Sequence, residues 1–336
     1  MSTTEATNNK ATSMRAAYVK ELGPADNIRY GELPVPEVGM TDVLVEVEAM
    51  AVNPVDVLVR AGFWPTPTPF PFVIGRDLVG RVTDAGPGVV GFAPGQRVWC
   101  NSLGHGGRQG SFSTYASVPA DRLYHLPDAA DPLEAVSLLH PAATAYLALH
   151  RHGELREGDT VLVAGGAGNV GTAAVQLAVM AGARVLATCG PAEADRCRDA
   201  GAAEVLDYAD PALGERVREV APDGLDLYLD TSGHIDLELA CDLLAFRGRI
   251  VLISGFPDAR PALPIWRLYT RDGRVHGFVI SLATVDELAG AAAALNRCFA
   301  SGRLLTQIAE VLPLERAADA QRMVERGLRG RVVLRP

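Results

Sequence analysis

Positive charge is in short supply here: 31 Lys and Arg stand against 40 Asp and Glu, leaving a net charge of −9. Nucleic acid and anionic membrane surfaces both demand a basic face, so neither is an expected partner. Cysteine is scarcer still. The five cysteines are Cys100, Cys189, Cys197, Cys241 and Cys298, with no two at C-x-x-C spacing. So sparse and odd a set does not describe a disulfide framework, and a reducing, cytoplasmic setting is expected. No apolar run approaches the roughly 20 residues of a membrane span. The opening MSTTEATNNKATS lacks the apolar core of a signal peptide and reads as a disordered tail over residues 1–13. Small molecules and proteins remain as partners.

What the chain does have is length and apolar content. Its 336 residues, 48% of them hydrophobic, exceed what one core usually organises, so two domains are expected. The rhythm divides accordingly. Up to about Pro127 the pattern is strand-like, with RAAYVK, DVLVEVEAMAV, FVIGRDLVGRV, QRVWC and FSTYASVP cut by Gly and Pro clusters. GFWPTPTPFPF, residues 62–72, holds too many prolines for a strand or helix and should be an extended loop. From about Ala135 to Ile280 short apolar strands alternate with helices, at 160–166, 184–190, 204–208, 225–233, 249–254 and 275–280. That alternation means a parallel sheet covered on both faces.

The strongest motif lies in VLVAGGAGNVGTAAVQLA, residues 161–178. Gly166, Gly168 and Gly171 form G-x-G-x-x-G directly after an apolar strand and at the start of a helix, with Asn169 and Val170 between the last two. In this context Gly166 is expected to permit the tight turn, Gly168 to let backbone approach a pyrophosphate, and Gly171 to let helix and sheet pack closely. The free N–H groups of the helix start then face the phosphates.

The end of the second strand selects the dinucleotide. An NAD site usually places Asp or Glu there to accept from the ribose 2′-OH. Here the chain reads Thr188-Cys189-Gly190, neutral and small, which leaves room for a 2′-phosphate. Arg196, Arg198 or the hydroxyl of Tyr208 could bind it, a solvated helix face being the alternative reading for either arginine. NADPH is the expected cofactor.

With these parts in this order, the chain resembles the medium-chain dehydrogenase/reductase superfamily, and within it the zinc-independent quinone oxidoreductase branch that includes zeta-crystallin. NPVDVLVRAG (53–62), GRDLVGRV (75–82), GFAPGQRVW (91–99), AATAYLAL (142–149), GGAGNVG (165–171), GAAEVLDY (201–208) and RGRVVLRP (329–336) carry the likeness. It implies an α/β protein: a GroES-like β domain from residues 14–137 and 281–336, and a Rossmann doubly wound parallel-sheet domain over 138–280. It also implies an interdomain cleft for the substrate, and a homodimer.

Zinc alcohol dehydrogenases of the superfamily keep Cys and His where this chain has Asn53 and Arg76, and neither replacement is a credible metal ligand. No metal is therefore expected. Without that Lewis acid, hydride transfer from NADPH to a quinone or α,β-unsaturated carbonyl is the implied reaction. Asn53 matches the branch's residue beside the nicotinamide or its ribose, turn capping before Pro54 being the other reading. Arg76 is a candidate catalytic group, or else half of an ion pair with Asp77. Leu58 and Trp64 stand where relatives often carry tyrosines, and so become candidate substrate contacts. By the same likeness Thr144, Ser254, Gly255, Phe256 and Phe278 line the nicotinamide half, Gly190 approaches the adenosine ribose and Arg331 lies near the cofactor. His105 and His140, each isolated, read as structural. Two rival readings are a pathway reductase of an iminium or polyketide-derived enone, and a non-catalytic NADPH-binding redox sensor.

Overall fold

The computed structural model describes residues 11–336, and the chain falls into two compact units. The first takes in the described chain as far as Val136, then Ile308–Leu328 and Val332–Pro336; the second takes Ser137–Gln307 and Arg329–Arg331. Residues 1–10 of the expected tail lie outside the described residues, and Ser13 already opens a strand.

The first unit begins with β1 (Ser13–Val19), β2 (Arg29–Pro34), β3 (Asp42–Val52), β4 (Phe72–Val73), β5 (Asp77–Ala85), β6 (Arg97–Cys100), β7 (Tyr115–Pro119) and β8 (Tyr124–His125). Valines 43, 45 and 47 of β3 are buried in alternation, as a strand with one face on a core requires, and the stretch Ala49–Val52 is buried on both faces. The run at residues 71–82 does not form one strand. It breaks between β4 and β5 at Gly75, whose φ is +103° and where a Cβ would lie 2.2 Å from the Phe112 ring. Arg76 sits in that kink. Helix α1 (Pro54–Ala61) starts with Pro54 after Asn53 and ends on Gly62. The proline loop at 62–72 forms as expected, and Gln109 pins it: its Oε1 accepts from Val73 N–H at 2.6 Å and its Nε2 donates to the carbonyls of Pro69 and Pro71 at 3.1 Å.

Helix α2 (Pro132–Tyr146) leads on to β9 (Thr160–Ala164), α3 (Asn169–Met180), β10 (Arg184–Cys189), α4 (Ala194–Asp199), β11 (Glu204–Asp207), α5 (Leu213–Val220), β12 (Leu225–Asp230), α6 (Leu237–Leu243), β13 (Leu244–Leu252), α7 (Ile265–Tyr269), β14 (Arg274–Gly277) and α8 (Val285–Ser301). All six strand candidates of the second half form. They make one parallel sheet in the order β11-β10-β9-β12-β13-β14, the doubly wound order with its reversal between β9 and β12. Residues 281–307, expected with the first unit, cluster with the second. Three bonds explain this: Arg151 Nε reaches Glu287 on α8 at 2.9 Å, and the buried Gln176 amide donates to and accepts from the backbone of Leu305.

The chain returns to the first unit through β15 (Ile308–Pro313), α9 (Ala317–Glu325) and β16 (Arg331–Arg335). The order β15-β16-β3-β5-β6-β8, with β7 also on β3, forms its larger sheet. Val332, Val333 and Leu334 pair with Val52, Ala51 and Met50. Arg60 ties α1 to α9: its buried guanidinium bonds Gln321 Oε1 at 2.9 Å, the Gly23 carbonyl at 2.6 Å and the Glu325 carboxylate.

Candidate functional site

In the second unit the site grows from the end of β9. Gly165 and Gly166 both donate their N–H to the Thr188 carbonyl, at 3.1 and 2.9 Å, so the loop crosses the end of β10 before α3 begins. The turn glycine is Gly165, with φ +80°, rather than Gly166. Gly166 is required for another reason: a Cβ there would stand 2.7 Å from that of Ala187. Gly171 does what close helix–sheet packing asks, since a Cβ would come within 2.1 Å of the Gly165 carbonyl oxygen. Gly168, just before α3, has only that oxygen nearby, at 3.2 Å, and leaves its other side open. Asn169, Val170 and Gly171 open α3, and N–H groups in a helix's first turn have no partner within the helix. This cradle, bare of side chains and rimmed by N–H donors, fits a pyrophosphate.

At the end of β10, Cys189 closes the strand and no carboxylate follows directly; Gly190 lies against Tyr208, whose ring carbon would be 3.7 Å from a Cβ at Gly190. Tyr208 is largely exposed. Arg196 is held by Gln307 Oε1 at 3.0 Å, while Arg198 turns to Asp195. Glu193, the nearest acid past the strand, is neutralised by Arg329. Gln307 and Arg329, more than a hundred residues from the groups they bind, were not legible from spacing.

The remaining candidates of this unit scatter more widely. Asp230 ends β12 three residues before the apolar run suggests, because its buried carboxylate accepts from Ser232 N–H at 3.0 Å, Ser232 Oγ at 2.6 Å and Gly233 N–H at 3.2 Å. That turn touches the segment after β13: a Cβ at Gly233 would be 3.0 Å from Ser254 Oγ. Gly255 is open on all sides and the exposed Phe256 meets His234 edge-on at 4.8 Å. Thr144 directs its hydroxyl to the His140 carbonyl in its own helix, at 2.8 Å. Phe278 stacks on His152, centroids 4.2 Å apart, and the buried Arg331 donates its backbone N–H to Gln307.

In the first unit Asn53, Asp56, Arg76 and Asp77 are all buried. Asn53 donates its backbone N–H to Asp56 Oδ2 at 2.8 Å and its Nδ2 to Asp77 Oδ2 at 2.9 Å. Arg76 and Asp77, neighbours in sequence, do not bond each other's side chains as a simple couple: Asp77 holds Asn53, while the Nε and Nη2 of Arg76 are enclosed without a hydrogen-bond partner. Burial lowers the Arg76 pKa, opposed by the charges of Asp56 and Asp77 and assisted by that of Arg108. Leu58 is partly exposed on α1, and its carbonyl accepts the N–H groups of Phe63 and Trp64; the Trp64 ring packs on the unit's core.

The donor set here does not suit zinc. A guanidinium offers no lone pair and the Asn53 amide is already engaged. Among the described residues, no three His, Cys, Asp or Glu side chains converge as a metal would require.

Residues 101–112 fold over Arg76. Leu103 N–H donates to the Arg76 carbonyl at 3.3 Å, Ser111 N–H to Gly75 at 3.2 Å and Gly106 N–H to Thr66 Oγ1 at 2.8 Å. The loop brings His105 and Arg108 near Arg76. Burial first, then the charges of Arg76, Arg108 and Arg122, push His105 down to about 4. Because its folded value lies below the ordinary 6.5, the neutral ring contributes stability that is fully present above pH 6.5. That contribution is lost as pH falls through 4. His105→Gln should therefore flatten the decline of the urea midpoint between pH 6.5 and 4, and an unchanged decline would show that His105 titrates alike in the folded and unfolded chain.

Comparison with known proteins follows the same division. Residues 39–128 match the family model of the alcohol dehydrogenase GroES-like domain, and residues 169–296 that of the zinc-binding dehydrogenases. A quinone oxidoreductase of Lama guanicoe is 30% identical over 330 residues, 96% of this chain and 97% of that one. Among solved structures, a mycobacterial quinone oxidoreductase superposes with a TM-score of 0.86 at 30% identity, covering 96% of this chain and 100% of that one. A mycobacterial protein complexed with NADPH superposes at 0.82 with 32% identity, over 96% and 100%.

Proposed function

This chain belongs to the medium-chain dehydrogenase/reductase superfamily, in its zeta-crystallin-like quinone oxidoreductase branch, and from that premise we propose an NADPH-dependent reductase of quinones or α,β-unsaturated carbonyls. The observation that carries the choice of cofactor is the phosphate cradle of Gly165–Gly171 followed by a strand end, Thr188-Cys189-Gly190, without a carboxylate. Bound NADPH supplies the hydride and leaves as NADP⁺.

The protein's part is to bind and orient. Gly166, Gly168 and the first turn of α3 hold the pyrophosphate; Gly190, Tyr208 and Arg196 take the adenosine ribose and its 2′-phosphate. Thr144, Ser254, Gly255, Phe256, Phe278 and Arg331 are assigned to the rest of the cofactor, with Asn53 beside the nicotinamide ribose. Arg76 is assigned to the acceptor's polar end, Leu58 and Trp64 to its apolar face. The resting fold uses Asn53 Nδ2 for Asp77 and its side chain also caps the first turn of α1, so contact with the ribose would use a second lone pair of the side-chain oxygen. Because the donors do not suit zinc, the reaction is assigned to acceptors whose reduced anion is already delocalised.

A homodimer is part of the same reading. β14 ends the sheet order, so among the described residues its outer edge has no strand partner, and Ile265, Trp266 and Tyr269 of α7 are exposed in the same unit. Sedimentation should give twice the chain mass.

The deciding experiment follows NADPH and NADH oxidation against quinones, enones and aldehydes, with elemental analysis of freshly purified protein. NADPH-dependent turnover of quinones or enones, with substoichiometric zinc, is expected. Tight NADPH binding with no oxidation across the panel would overturn the enzymatic reading, and stoichiometric zinc would overturn the metal-free one.

A further inference from the structure

Arg76 is 2% exposed, yet among the described residues its Nε and Nη2 have no hydrogen-bond partner, and Arg108 Nε and His105 Nδ1 are likewise enclosed without one. A buried guanidinium with unused donors is costly, because each donor left unpaired away from water keeps its full desolvation penalty, the more so when charged. The nearby carboxylates do not remove that cost. Asp56 and Asp77 offset the charge of Arg76 through space, while each accepts a hydrogen bond from Asn53. The charge is balanced while the directional donors are not.

The missing partner must be an acceptor. Guanidinium nitrogens only donate, and two of them in a fixed fork match the two oxygens of a carboxylate. The surrounding fold is built to present them. Gly75 bends the chain between β4 and β5, placing Arg76 beneath residues 101–112. Arg108 is anchored at one end by Nη2 to the Ser102 carbonyl at 3.1 Å, leaving Nε for another partner. Gly104 and Gly110 let the loop lie close on the Ile74–Gly75 backbone, where a Cβ would stand 2.7 Å from the Gly75 oxygen and 2.3 Å from Ile74, so His105 and Arg108 are held in place over Arg76.

We propose that Arg76, Arg108 and His105 form a carboxylate-binding pocket in the first unit, so that the preferred acceptors are enones carrying a carboxylate. This rests on the reductase reading above for its substrate, though the pocket itself does not need turnover to be detected.

The acceptor pair for the test is 4-oxo-2-pentenoate and its methyl ester. In either, hydride from NADPH adds to the carbon β to the ketone, and a proton from water adds to the α carbon, giving the saturated ketone and NADP⁺. The acid should show a KM at least tenfold below the ester. Arg108→Gln, on a surface loop, should raise KM for the acid about tenfold and leave the ester unchanged.

Binding is read separately. Levulinate, the saturated product, should titrate into the NADP⁺-bound protein calorimetrically, its methyl ester should not, and Arg108→Gln should abolish the heat. Turnover of the ester as well as the acid, with no levulinate binding, would mean that the pocket holds only water, and the proposal would fall while the reductase reading stood. Equal losses on both acceptors in Arg108→Gln would likewise sink it, assigning the pocket to the oxyanion formed on any enone. Levulinate binding that depends on Arg108, in a protein that oxidises no NADPH, would uphold the pocket and overturn the reductase reading.

Discussion

Gly171→Val is expected to lower NADPH affinity at least about 100-fold, a loss of roughly 2.7 kcal/mol, and to lower the thermal midpoint with it. The first side-chain carbon would stand 2.1 Å from the Gly165 carbonyl oxygen and 2.9 Å from Gly166 Cα. Both are backbone atoms of the phosphate loop, so no rotamer change relieves the clash; either α3 moves off the sheet or the loop opens. Gly168→Ala makes the informative contrast. Its Cβ would meet only the Gly165 oxygen, at 3.2 Å, and would point otherwise into the open cradle. It should weaken NADPH binding with little change in thermal midpoint. Calorimetric titration beside thermal unfolding separates the two, and NADPH affinity unchanged in both variants would remove the cradle from the cofactor site.

Gly190→Asp is expected to invert cofactor preference. The position has φ −72° and ψ 153°, open to any residue, and a Cβ there makes only ordinary contact with Tyr208 at 3.7 Å. The substitution therefore restores the missing strand-end carboxylate without distorting the strand. Opposite a 2′-phosphate at about 4 Å, a carboxylate costs on the order of 1–4 kcal/mol, or roughly ten- to a thousandfold. The same group accepts from the 2′-OH of NADH. The ratio of NADPH to NADH affinity should fall by at least about 100-fold, with Gly190→Asn, similar in shape but uncharged, moving it far less. If aspartate and asparagine act alike, charge at this strand end does not set the preference.

The sequence disclosed periodicity and adjacency well, and long-range partners poorly. The six strands of the parallel sheet, the glycine motif and its helix, and the proline loop all follow from local pattern. The roles within the motif do not: only backbone torsion distinguishes Gly165 from Gly166, and both read as glycine. Residues 71–82 look like one β-branched strand, and the break at Gly75 depends on Phe112, which packs there from a separate segment. α8 has a clear helical pattern, but amphipathicity fixes a face without naming the neighbour it covers, so Glu287 and Leu305 decide its unit instead. The Arg76–Asp77 question resolves for a related reason. Neighbours along an extended chain point to opposite sides, and Asp77 meets Asn53 while Arg76 turns beneath the loop that carries His105 and Arg108.

The return of the chain end to β3 bears on synthesis. Val332 pairs with Val52, and Arg60 waits for Gln321 and Glu325, so the unit begun first is finished last. The second unit, apart from Arg329–Arg331, is contiguous from Ser137 to Gln307. A ribosome-bound chain can therefore complete the nucleotide sheet while the earlier strands still lack their closing partner, with an apolar β3 edge open to wrong pairings. A chain truncated after residue 307 should show this separation directly, as a protease-resistant fragment starting near residue 137 with the preceding residues digested.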